Sequence, residues 1–108
     1  MANETTFGAQ LSTALTNITE LVVKTKSDSE RRQLLDQQRA IASDLQTFID
    51  KVVDAALPEY QAATKALIEA NQAAEEAKKD LDKIAETIKK FATAADKVAQ
   101  LAKKVGAA

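Results

Sequence analysis

Apolar residues recur along this chain at helical spacing in three successive series. In the first, Leu11, Leu15, Ile18 and Val22 are spaced 4-3-4, with Phe7, Ala14 and Leu21 beside them. That is one face of an amphipathic helix over about residues 5–24. The run Lys24 to Ser29 breaks the periodicity, and Ser27 stands three residues before Glu30, the spacing of a capping box. A second helix is predicted over 29–56. Its stripe is Leu34, Ile41, Leu45, Phe48, Val52 and Ala55, flanked by Leu35, Ala42, Ile49 and Ala56. A stripe this wide predicts contact with two neighbours.

Pro58 follows Leu57, and proline is tolerated at the first position of a helix but not inside one. From there the spacing becomes a strict heptad. Tyr60, Leu67, Ala74, Leu81, Ile88, Ala95 and Ala102 form one set; Ala63, Ala70, Ala77, Ile84, Phe91, Val98 and Val105 form the other. All fourteen positions are apolar, up to Gly106, a residue suited to stopping a helix. One long third helix is predicted over 58–105. The flanking positions Ala66, Ala73, Ala85, Ala92 and Leu101 widen its apolar face beyond a two-stranded zipper, towards a bundle.

The expected fold is therefore all-α, a single domain over 1–108: an antiparallel helical bundle of three segments with a very long, heptad-patterned third helix. If Pro58 begins an antiparallel return, Leu45 lies opposite Ala70 and Ile41 opposite Ala74, large against small. The alternative is one helix kinked at Pro58, because Ile49, Val53, Ala56, Tyr60, Ala63 and Leu67 continue a 4-3 series across it. Length creates a difficulty. The third helix would reach roughly 72 Å and the second only about 42 Å, at about 1.5 Å per residue. Ile88, Phe91, Val98, Leu101 and Val105 would then overhang as a bare apolar stripe, which soluble monomers avoid. Either this stripe is a partner or oligomer interface, or the helix breaks and folds back as a fourth. Thr93, three residues before Asp96, is the expected break.

Composition narrows the chemistry. Twenty-two of the 108 residues are alanine, against three Phe, one Tyr and no Trp, so the core is thin and its helices must approach closely. There is no Cys and no His, which removes thiolate nucleophiles, imidazole bases and ordinary zinc sites. No catalytic residue, metal site or cofactor site is expected, and no small-molecule substrate. Fifteen basic and sixteen acidic residues nearly cancel. A dedicated nucleic-acid binder is therefore not expected, although Lys24, Lys26, Arg31, Arg32 and Arg39 cluster around the loop. The carboxylates at Glu75-Glu76 and at Asp80 and Asp82 sit among lysines and read as solvated helix surface. Asn17-Ile18-Thr19 matches a glycosylation triplet, but the first residues lack the basic start and apolar stretch of an export signal. A cytoplasmic location is expected, with signal-independent export the alternative. Arg31 and Gln38 fall at inward positions, either reaching out to solvent or fixing register.

Charge is split along the third helix. Residues 58–82 hold six acids and three lysines, residues 83–108 two acids and six lysines. This complements the helix dipole, and it would also favour antiparallel self-pairing. The functional expectation is a non-enzymatic helical-bundle or coiled-coil interaction module. It would self-associate as a homo-oligomer or dock a helical protein partner through the end of its long helix. The alternative is an amphipathic-helix protein that binds a lipid or other apolar surface: lysines at 89, 90, 103 and 104 oppose an apolar face.

Overall fold

A stripe of apolar side chains spaced three and four residues apart can be buried only against another helix, and this chain supplies four such stripes rather than three. A computed structural model describes residues 7–50 and 56–107. Its helices are α1 (Phe7–Lys24), α2 (Asp28–Ser43), α3 (Leu45–Asp50), α4 (Pro58–Lys79) and α5 (Ile84–Ala107). The all-α bundle is as expected from the periodicity. Its extents are 42 × 28 × 18 Å, which leave no room for an unbroken helix of roughly 72 Å.

The first hairpin forms as its sequence signals require. α1 buries Phe7, Leu11, Ala14, Ile18 and Leu21. Ser27 caps α2, its hydroxyl accepting from the Glu30 amide at 3.2 Å. The Glu30 carboxylate does not close the box; it accepts instead from the Thr25 hydroxyl at 3.1 Å. α2 packs on both α1 and α5, the two neighbours its wide stripe called for. It ends earlier than residue 56, however. Asp44 makes a turn, its amide bonded to the Ile41 carbonyl at 3.3 Å, and the short α3 follows. Val52 and Ala55, the last members of the predicted stripe, lie outside the described residues.

Pro58 is the first residue of α4, and Leu57 before it is extended (φ −63°, ψ 134°) with no side-chain cap. Proline disfavours helical backbone in its predecessor, so the helix begins here and does not pass through as a kink. α4 does run back against the direction of α2, but the layers expected between Leu45 and Ala70, and between Ile41 and Ala74, do not form. α4 packs instead on α1 and α5.

The larger correction concerns the third helix. It breaks at Asp80, not Thr93, and folds back as α5 after a 3-10 turn over Leu81–Lys83. Asp80 leaves the helical region (φ −142°, ψ 97°), and its carboxylate accepts from the Asp82 amide at 3.1 Å. An aspartate can replace lost helical partners in this way, whereas Thr93 sits mid-helix and donates to the Lys89 carbonyl at 3.2 Å. Gly106 stops nothing, since α5 continues through it.

In the α4–α5 hairpin the Thr87 hydroxyl reaches the Ala73 carbonyl (3.2 Å), and Lys83 pairs with Glu76 (3.3 Å). That register sets Ala77, Ala70 and Ala63 level with Ile84, Phe91 and Val98. The large-against-small packing expected between the second and third helices is thus realised within the third. Twelve of the fourteen heptad positions are buried; Tyr60 is half-buried, and Leu81 stays 40% exposed in the turn.

Ile84 is 1% exposed at the start of α5. Replacing it with alanine should lower stability by roughly 2–5 kcal/mol, while Lys79→Ala, at an exposed position, should stay within about 0.5 kcal/mol. Equal small changes in denaturant melts would contradict the register. Asp44 gives a second test, because burial at the α2–α3 turn raises its carboxyl above the usual 3.8. The folded chain therefore holds this proton more tightly than the unfolded one, and its stability falls as pH rises from 3.8 through the folded value. Melts of Asp44→Asn should lack that fall and show higher stability at neutral pH.

Candidate interaction site

The five side chains expected to form an exposed interface are core residues. Phe91, Val98 and Leu101 are fully buried, and Ile88 and Val105 nearly so, at 6% and 7% exposed. The reason is the Asp80 turn: once α5 folds back, α2 and α4 cover the stripe that would have overhung. Three other features could meet a partner or set the bundle's geometry.

The first is a polar seam between α1 and α4. These two helices run parallel and are held by side chains the periodicity reads as misplaced. Asn17 (2% exposed) and Asn71 (6%) lie within otherwise apolar stripes. Asn17 Nδ2 donates to Asn71 Oδ1 at 2.9 Å, and Asn71 Nδ2 donates to Gln10 Oε1 at 2.8 Å and to the Gln10 carbonyl at 3.1 Å. Lys78 Nζ closes the chain on Asn17 Oδ1 at 2.6 Å, with Glu20 at 3.2 Å and Glu75 at 3.1 Å. A buried amide without partners would be destabilising, so this network is satisfied in one axial register only. In the sequence, Asn17 stands out only as part of a glycosylation triplet. The available signal was an asparagine on each of two apolar stripes.

The polar residues singled out in α2 join α1 to α2. Arg31 is half-buried and engaged: its guanidinium donates to the Val22 and Thr25 carbonyls at 3.4 and 2.9 Å, and pairs with Asp28 at 2.6 Å on its exposed side. It thereby serves carbonyls at the end of α1 that have no helical donor. Gln38 donates to the Thr19 hydroxyl at 2.5 Å. Arg31 is thus engaged, while Lys24, Lys26, Arg32 and Arg39 remain exposed. Glu75 and Glu76 each pair with a lysine at the surface, and Asp80 caps the turn. Among the described residues, no group of three His, Cys, Asp or Glu could hold a metal ion. No helix there is long and apolar enough to cross a membrane.

The second feature is an aromatic end. Phe7 stacks edge-on against Phe48 (centroids 4.8 Å apart) and tilts onto Tyr60 (5.5 Å), whose hydroxyl accepts from the Phe7 amide at 3.3 Å. An open apolar groove of about 490 Å³ lies over this cluster, lined also by Leu11, Leu15 and Leu45. The third feature is the α4–α5 turn, with the exposed Leu81 and the acidic and basic halves of the former long helix on either side.

Burial alone would lower the Lys78 ammonium, but its hydrogen bonds to Glu75 and Glu20 and their charges outweigh it and raise it above the usual 10.5. The stability this contributes is fully present below 10.5 and is lost as pH rises through the folded value. Lys78→Met should cost roughly 1–3 kcal/mol at neutral pH. In denaturant melts its alkaline loss of stability should also be shallower than that of the natural chain; parallel curves would remove Lys78 from the network's energetics. No family model matches this sequence, and neither a curated protein nor a solved structure matches the chain.

Proposed function

We propose that this chain is a non-enzymatic helical interaction module of the cytoplasm that associates with helical partners, above all with its own copy. The observation that carries this reading is the heptad stripe of residues 60–105, apolar at every one of fourteen positions and unbroken in phase across a turn. A hairpin folded only onto itself does not require that its two arms share one phase. A helix that pairs along its whole length does. In this reading Ile88, Phe91, Val98, Leu101 and Val105 are interface residues only when α5 lies against another chain. The acidic half of the stripe then meets the basic half of a partner, which sets direction.

A second reading has one observation in its favour. α5 presents the exposed Lys89, Lys90, Lys103 and Lys104 opposite a buried apolar stripe, so a bundle that opened could lay α5 on an anionic lipid surface.

Two measurements test these readings. The mass in solution should rise with protein concentration towards a dimer. A chain that stays monomeric at its highest soluble concentration contradicts self-association. With anionic vesicles, co-sedimentation and a gain in helical circular dichroism would favour the lipid reading, and indifference to vesicles the protein one.

A further inference from the structure

We infer that the partner copy is engaged by exchange of α5. Straightening residues 80–83 fuses α4 and α5 into one helix, and each α5 then occupies the place of its counterpart in the other copy's bundle. This rests on the association reading above and names the route by which association occurs.

Four observations carry it. The hinge is nearly helical already: Asp80 alone has left the helical region, its amide still bonds to the Glu76 carbonyl at 2.9 Å, and Leu81–Lys83 is a 3-10 turn leading directly into α5. No residue between Asp80 and Lys83 is Gly, Pro or Asn, and no described residue has a positive φ. Returning Asp80 alone from φ −142°, ψ 97° to helical values therefore straightens the segment, and adds the i to i−4 bonds of Leu81, Asp82 and Lys83. Second, the heptad phase runs through the hinge, so the straight helix carries one continuous apolar seam. Third, Leu81 is the seam residue that the turn expels, 40% exposed; straightening returns it to the seam at the junction of the two bundles. Fourth, the register is already symmetric. Pairing 76 with 83 and 73 with 87 centres the seam on residues 79 and 80, so two straightened helices cross a twofold axis inside the hinge and keep every α4–α5 layer. The Lys83–Glu76 pair is retained between chains, as are the contacts of α5 with α2.

The test uses the full chain, which has no natural cysteine. Ala66 and Thr93 line the same cleft between α4 and α5. Chains carrying only Ala66→Cys are mixed with chains carrying only Thr93→Cys, annealed at high concentration and treated with a short thiol cross-linker. Exchange places residue 66 of one chain beside residue 93 of the other, so the expected product is a mixed cross-linked dimer. Leu81→Pro suits the extended residue before it but not the interior of a helix. It should weaken dimerisation by about a hundredfold for each hinge while leaving the monomer helical. Asp80→Ala removes the cap of the turn and should strengthen dimerisation roughly fivefold per hinge. Dimers that yield no mixed cross-link overturn the exchange and leave the association reading standing, as do dimers indifferent to both hinge substitutions. If Leu81→Pro fails to fold, the cross-link and Asp80→Ala still decide. Monomers throughout, in the natural chain and Asp80→Ala alike, overturn both.

Discussion

Alanine sets the terms of this structure. A core in which α4 offers Ala63, Ala70, Ala74 and Ala77 has little apolar area per residue, roughly a methyl group at each. Such a helix is held only if its neighbours come close enough to make each methyl count, and if those neighbours bring the bulk. α5 does so with Ile84, Phe91 and Val98, and α1 with Leu11, Ile18 and Leu21. The Asp80 turn, the parallel pairing of α1 with α4 and the diagonal placement of α2 relative to α4 all follow from giving the alanine face of α4 two large-residue partners.

Close approach makes polar side chains at the seam decisive. Where helices nearly touch, an amide cannot borrow water, so Asn17 and Asn71 must find each other and Lys78 must arrive to complete them. Apolar layers tolerate sliding by a heptad; this chain of bonds does not. The methyls supply attraction without position, and the asparagines supply position with little net attraction.

The periodicity made the fold class, the α1 stripe, the Ser27 cap and the helix start at Pro58 legible, because each depends on neighbours within a turn or two. The break at Asp80 was not legible. The heptads on either side agree in phase, and Asp80, Leu81, Asp82 and Lys83 include no residue foreign to a helix. Thr93-to-Asp96 looked more like a cap than Asp80 did. What decided between them was where a break would let both arms bury their stripes, a tertiary demand that no local signal carries. The five residues placed at an interface were correctly read as apolar and in need of cover. Their cover came from α2 and α4 of the same chain. The α1–α4 seam was not legible either, because nothing local marks a contact between residues 17 and 71.

The architecture amounts to two helical hairpins, α1–α2 and α4–α5, laid side by side. Within each, contacting residues are close in sequence; across the α1–α4 seam they are separated by 53 to 61 positions. Closing a loop of that length precedes any reward from the contacts it allows, whereas each hairpin can zip from its own short turn. Loop closure thus favours an order in which each hairpin closes before the two dock. Docking brings the alanine face of α4 against the Leu11, Ile18 and Leu21 face of α1, and the bond between Asn17 and Asn71 selects the alignment in which it stops.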